Sequence, residues 1–241
     1  MDQATRKILD RFEWISQVPR CPGNETALAD MIRQWADDLG LPHRTDAAGN
    51  IRIDVPATAG AEKVAPLIIQ GHMDMVCEKV PVSRHDFAND PIRLIWEEDW
   101  VRADGTSLGA DNGIALALAM TLVDERVAPR PPLELLFTVE EEIGLVGADK
   151  LSPDFLKGRR LLNLDSEDEG VFTVGCAGGL DTRIALDLAT APLSSKAAFC
   201  TLAVSGLWGG HSGVDIHRGR ASAHKILART LNALCGLTDV G

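Results

Sequence analysis

The chain has 241 residues, 45% of them hydrophobic and 24% charged, which is enough to bury a sizeable core and excludes disorder as the dominant state. Lys and Arg number 24 against 35 Asp and Glu, a formal net charge of −11. That balance, with no basic stripe interleaved with aromatics, argues against a nucleic-acid partner. No apolar run approaches the roughly 20 residues of a membrane-crossing helix, so no membrane partner is expected.

Ile8, Leu9, Phe12 and Ile15 repeat at helical spacing, and Pro19 and Pro22 close that segment. A second helix is predicted after Asn24 as N-cap. Leu28, Met31, Ile32, Trp35 and Leu39 mark its buried face, and Gly40 its stop. Gly49-Asn50 signals a turn, after which Ile51, Ile53 and Val55 alternate with polar residues as in a half-exposed strand. Three short apolar runs, at 67–69, 133–139 and 161–164, are bounded by Gly, Pro or charge. They read as interior strands covered on both faces. Between the first two, the Ala/Leu-rich residues 114–123 predict a packed helix. Alternation of strands and helices predicts an α/β fold, with a mostly parallel central sheet and helices on both faces. From about residue 186 the character changes. A strand over 198–204, a glycine-rich loop over 206–213 and a helix over 221–234 open a second domain, dividing the chain into 1–185 and 186–241.

The five cysteines, Cys21, Cys77, Cys176, Cys200 and Cys235, are odd in number, scattered and without a CxxC pair. They suit a reducing compartment and no thiolate metal site. Residues 1–7 lack the apolar stretch of a signal peptide, so a cytoplasmic location is expected.

Each apolar run ends in metal-binding chemistry. Gly71-His72-Met73-Asp74 comes after the first, Glu140-Glu141-Glu142-Ile143-Gly144 after the second and Asp165-Ser166-Glu167 after the third. Ligands of open parallel sheets sit beyond the carboxyl ends of the strands. Three strands running the same way would therefore bring an imidazole and several carboxylates to one edge. Gly109-Ala110-Asp111-Asn112-Gly113 adds a tight loop before the predicted helix. Oxygen and nitrogen donors without thiolate suit Zn²⁺, Mn²⁺ or Co²⁺. Carboxylates crowded into a partly dry crevice need cations to neutralise them, and a pair of divalent ions would do so. Taken singly, each signal has a plainer reading. His72 reads as a packed histidine, Asp111 and Asn112 as helix caps, the glutamates as a solvated turn and 165–169 as an acidic loop. Their coincidence at strand ends and a helix start favours one site.

Gly71-His72-Met73-Asp74-Met75-Val76, Gly109-Ala110-Asp111-Asn112-Gly113, Glu141-Glu142-Ile143-Gly144, Asn163-Leu164-Asp165-Ser166-Glu167 and Gly209-Gly210-His211-Ser212-Gly213 stand in a telling order. They resemble the motifs of the M20 family of zinc peptidases, in particular its aminoacyl-histidine dipeptidase branch. His85-Asp86-Phe87, Asp104-Gly105-Thr106-Ser107-Leu108-Gly109 and Gly175-Cys176-Ala177-Gly178-Gly179 extend the resemblance over essentially the whole chain. It implies His72 and Asp165 as ligands of one zinc ion, Glu142 as a ligand of a second, and Asp111 as the carboxylate bridging both. Asp74 matches the residue that hydrogen-bonds His72 and sets its tautomer, and Glu141 matches the general base. The family's ligand lies two residues before glycine, which selects Glu142 from the run of three. His211 matches a histidine that projects from a lid domain to stabilise the oxyanion or the substrate. Residues 186–241 would then begin a lid or dimerisation-type domain, with a homodimer among the expected assemblies.

The activity implied is hydrolysis of small dipeptides, those ending in histidine foremost. By that resemblance, Glu141 would take a proton from a metal-activated water as it attacks the peptide carbonyl and would pass that proton to the departing amine. The family's last ligand, a histidine near the C-terminus, has no counterpart here, so the sequence resembles the N-terminal half of the family chain. The alternatives are another amide hydrolase of the family, a deacylase or carboxypeptidase, and an inactive metal-binding fragment. A nucleotide-binding α/β domain finds least support, because neither GxGxxG after a strand nor a Walker-type loop is present.

Overall fold

Asp2 opens the first helix by accepting the Thr5 N–H at 2.9 Å, and α1 runs Gln3–Ile15 with Phe12 and Ile15 buried. The structure, a computed structural model, describes residues 1–166, 170–176, 178–180, 182–190, 192, 198–210 and 215–236. The second helix, α2, spans Thr26–Asp38 and buries Leu28, Ile32, Trp35 and Ala36. It starts after Glu25 rather than after Asn24, and no side chain caps it, because the Glu25 carboxylate is committed to the Glu140 N–H at 3.0 Å. Gly40 takes up φ +65° just past its end, as the stop signal predicts.

Strands β1 (His43–Thr45), β2 (Ile51–Val55) and β3 (Leu67–His72) come next, then a hairpin of β4 (Leu94–Glu97) and β5 (Trp100–Ala103). Helix α3 (Ala110–Asp124), strand β6 (Leu133–Thr138), the single turn α4 (Val146–Asp149) and strand β7 (Arg160–Asn163) complete the first unit. The main sheet has the order β1-β2-β6-β3-β7. β6, β3 and β7 run parallel, whereas β1 and β2 are antiparallel additions on one side. The α/β expectation holds, with a mixed sheet whose parallel part is the part that carries the site.

One face of the sheet carries the main core, where Ile51, Ile53, Ile69, Leu135 and Phe137 meet Phe12, Leu28, Ile32, Leu116 and Met120 from α1, α2 and α3. Burying each such side chain stabilises the fold by about 1.5–3 kcal/mol. α3 is apolar almost all round, which suits its burial between α1 and the sheet. Gly71 permits that approach: a Cβ there would stand 2.5 Å from Asn112 Oδ1 and 2.9 Å from Ala115 Cβ. The opposite face is covered by Phe155, Leu151 and Leu156 from the segment after α4, packed on Ile68 and Leu136.

Two strands differ from expectation. β2 is buried rather than half exposed, because its polar alternates face that second layer. There Arg52 bonds Asp54 at 2.9 Å and the Phe155 carbonyl, and the neighbouring Glu134 accepts the N–H groups of Lys157 and Gly158. β7 is an exposed edge rather than an interior strand, since among the described residues β3 is its one partner in the sheet.

Cys21 and Cys77 form a disulfide, contrary to the reduced thiols expected from the odd number and scatter of the cysteines. Their backbones are neighbours because the Arg20 carbonyl accepts the Met75 N–H at 3.2 Å, an adjacency hidden behind a separation of 56 residues. Cys176, Cys200 and Cys235 are free and exposed.

The chain divides into two compact units, Met1–Cys176 and Ala177–Gly241. In the second, helix α5 covers Ala223–Cys235, close to expectation, and Ser222 caps it. The strand expected over 198–204 does not form: those residues have no regular structure, and among the described residues no neighbouring strand offers them a ladder. No helix of the described residues is long and apolar enough to cross a membrane.

Candidate metal centre

β3, β6 and β7 end at the same edge of the sheet, and the site is built at these strand ends together with the segment that opens α3. His72 is the last residue of β3, paired in register with Thr138 at the end of β6. Its ring is 1% exposed. Asp74, wholly buried two residues on, faces His72 Nδ1 at 3.2 Å through Oδ1, and its backbone carbonyl lies 3.1 Å from the same nitrogen. Nδ1–H therefore donates to Asp74, and Nε2 points outward.

After β6, Glu140 sits at φ +51°, in the left-handed region, and turns the chain sharply. The turn is pinned by the same Asp74 carboxylate, whose Oδ1 accepts the Glu141 N–H and whose Oδ2 accepts the Glu142 N–H, both at 3.0 Å. After β7, Asp165 approaches from the other side. Asp111 enters ahead of the regular part of α3, where Asp111 and Asn112 depart from helical geometry.

His72 Nε2 lies 3.0 Å from Asp111 Oδ1, 3.5 Å from Asp165 Oδ1 and 3.9 Å from Glu141 Oε2. Potential ligand atoms of His72, Asp111 and Asp165 all fall within 4.8 Å of one another, as do those of His72, Glu141 and Glu142. The structure thus brings together six of the residues singled out from sequence, namely His72, Asp74, Asp111, Glu141, Glu142 and Asp165. His211 lies outside the described residues.

Electrostatics make this cluster unusual. Burial alone would lower the His72 pKa, but Asp111, Asp165 and Asp74 outweigh it and push it up to about 12. Asp74 has the reverse balance: burial would raise its carboxyl, yet His72 and the two glutamate N–H groups hold it below the ordinary range. Glu141 is raised by burial and by Asp165, Asp74 and Asp111, against the pull of His72. Glu142 is likewise raised, by burial first and then by Asp111.

The donor set fits a divalent ion. With Nδ1–H given to Asp74, the Nε2 lone pair faces carboxylate lone pairs, an arrangement that needs a proton or a cation between them. One imidazole nitrogen among carboxylate oxygens, with no thiolate, suits zinc, manganese or cobalt. Two clefts flank Asp111. One of about 260 Å³ is walled by Val76, Ser107, Leu108 and Glu142, and one of about 320 Å³ by Ile114, Leu164, Asp165 and Ser166. A larger apolar groove of about 560 Å³ lies elsewhere, between α1, α3 and β7, and holds none of these acids.

Asn112 is a residue the sequence left as a helix cap. Its Oδ1 accepts the His72 N–H at 3.0 Å, and its Nδ2 donates to the Leu164 carbonyl at 2.8 Å and to Asp165 Oδ1 at 3.0 Å. It ties the end of β3 to the end of β7. Its only sequence signal is its place beside Asp111 in a glycine-bounded loop.

No family profile matches the chain. The cytosol non-specific dipeptidase of Escherichia coli (strain K12) is 42% identical over 226 residues, 93% of this chain and 46% of the relative. The crystal structure of aminoacylhistidine dipeptidase from Vibrio alginolyticus superposes with a TM-score of 0.71 at 38% identity, again over 93% of this chain and 46% of that one. Aminopeptidase PepT from Bacillus cereus ATCC 10987 matches with a TM-score of 0.56 at 25% identity, over 68% of this chain and 44% of that one. The chain thus spans about half the length of the relatives it matches. Its likeness to the two dipeptidases, over nearly all of its own length, agrees with the resemblance of its motifs to the M20 peptidases of the peptidase D branch.

Proposed function

We propose that the chain carries the metal centre of a dinuclear zinc dipeptidase that hydrolyses small dipeptides, Xaa-His dipeptides among them. The observation that supports this most directly is the convergence of His72 with acids from three other segments at one sheet edge. In this reading His72, Asp111 and Asp165 hold one ion, and Glu142 shares Asp111 with the other. Asp74, Asp111, Glu141, Glu142 and Asp165 surround a single imidazole. Two divalent cations, Zn²⁺ first and Mn²⁺ or Co²⁺ as substitutes, offset such a concentration of negative charge.

When bound, the metal supplies Lewis acidity, polarising the scissile carbonyl and making water easier to deprotonate. The protein's own groups do the rest. Asp74 keeps the His72 proton on Nδ1, so that Nε2 is free to ligate. Glu141 takes the proton of the attacking water and returns it to the departing amine. In the metal-free site burial holds the Glu141 carboxyl above its ordinary range. Residues 1–185 are read as the metal-binding domain and residues 186–241 as the beginning of a lid-type domain, with His211 assigned, by the resemblance, to the oxyanion or the substrate. A cytoplasmic location and a homodimer complete the proposal, the first supported by the name of the Escherichia coli relative.

The test is zinc titration of the purified chain, followed by assays on Xaa-His dipeptides, other dipeptides and N-acyl amino acids. Glu141→Gln is expected to bind zinc as the parent does and to lose turnover by about 10²–10⁴-fold. A parent chain that binds no zinc sinks the proposal. Tight binding without hydrolysis would leave a silent metal-binding segment, and cleavage of N-acyl amino acids alone would make it a deacylase.

A further inference from the structure

The connection between α1 and α2 buries a cation that none of the chemistry above employs. Arg20, between Pro19 and Cys21, is 2% exposed. Its Nη1 donates to the carbonyls of Met73 at 3.0 Å and Asp74 at 2.9 Å, and its Nη2 donates to the carbonyl of Gly109. Among the described residues its Nε finds no hydrogen-bond partner, and its contacts are backbone carbonyls rather than carboxylates.

Two glycines on either side of Asp111 make room for the guanidinium. A Cβ at Gly109 would stand 2.5 Å from Nη2, and one at Gly113 would stand 2.8 Å from it. Burying an ion without a direct counter-ion is costly, so stability alone is a poor reason for this arrangement. The three accepting carbonyls have their place in the chain in common. Met73 and Asp74 belong to the loop just after His72, and Gly109 to the loop that presents Asp111. A planar fork with several donors suits this bridging, whereas an ammonium is a single point that reaches fewer acceptors.

We propose that Arg20 is a positioning residue of the metal centre, clamping the loop after β3 to the loop before α3. His72 Nε2 and Asp111 Oδ1 are thereby held at a separation that suits a shared cation. The proposal rests on the reading of the acid cluster as a metal centre, and its test separates the two.

Zn²⁺ affinity is measured by titration calorimetry on the parent chain and on Arg20→Lys, Arg20→Gln and Gly113→Ala, with a metal-free thermal melt of each. Arg20→Lys and Arg20→Gln are both expected to weaken zinc binding by about 10- to 100-fold, as loss of a group that orients a ligand does elsewhere. Lysine should recover only part of the loss. Gly113→Ala keeps the charge but presses a Cβ on the guanidinium and, at 3.0 Å, on the Phe12 ring, and it should weaken binding in the same direction. A purely electrostatic role has the opposite sign: removing a nearby positive charge tightens cation binding, and lysine then behaves as the parent. That result overturns the clamp. So do folded variants that melt earlier but bind zinc as the parent does, because that is a structural role only. Should both Arg20 variants fail to fold, Gly113→Ala decides by the same criterion. Failure of the parent to bind zinc is a separate outcome that removes the metal centre itself and the clamp with it.

Discussion

Asp74 shows how much can depend on one carboxylate. It orients His72 and accepts the N–H groups of both Glu141 and Glu142, so it fixes the imidazole and the turn after β6 together. Asp74→Asn keeps the volume but removes one acceptor oxygen and the charge, and should cost about 1–3 kcal/mol at neutral pH. The depressed pKa of Asp74 sets the sign of the pH dependence. Its contribution is fully present above the unfolded value of 3.8 and is lost as pH falls through the lower folded value. Denaturant titrations of metal-free protein should therefore show the gap between parent and Asp74→Asn closing in acid, and a gap that stays constant would contradict this. His72, Asp111, Glu141, Glu142 and Asp165 were legible in the sequence because each lies just after an apolar run or just before a helix. Arg20 and Asn112 were not. Arg20 bonds Asp74 across 54 positions and Asn112 bonds Asp165 across 53, and nothing local to either residue marks the partner.

Among the elements, β3 and α3 are set by how closely their backbones approach. Gly71→Ala would press a Cβ against Asn112 Oδ1 and Ala115, pushing the strand off the helix and disturbing the hydrogen bond that Asn112 makes to His72. Overpacking of this kind costs about 1–3 kcal/mol, readable as a lower denaturation midpoint, and zinc affinity should fall with it. Parent-like stability in this variant would show that α3 yields easily. Periodicity located β2, β6 and β7 to within a residue or two and the start of β3, whose end lies three residues past its apolar run. It could not say which strand lay at the sheet edge, because Leu161 and Leu162 look the same to a sequence whether covered or exposed. It also missed the β4–β5 hairpin, whose strands are half or fully exposed and have little apolar alternation to betray them.

For the molecule as a whole, the proposed metal centre would also act as a stability device. Any ion that binds the folded chain and not the unfolded one stabilises it by mass action, about 2.7 kcal/mol at a concentration 100 times the dissociation constant. Zinc should therefore raise the melting temperature and a chelator should return it to the metal-free value. An unchanged melt in excess zinc would deny the ions a place in the fold.

The Cys21–Cys77 bond adds a covalent ring to this picture. Its 56-residue span contains α2, β1, β2 and β3, so three of the five strands of the main sheet belong to one covalently closed loop. Closing a ring of that size narrows the unfolded ensemble by about 4 kcal/mol at 25 °C in the chain-entropy picture. A thiol reductant should thus lower the midpoint of unfolding. The choice of redox buffer then becomes a thermodynamic variable alongside zinc, and measurements made with and without dithiothreitol describe two differently tethered polymers.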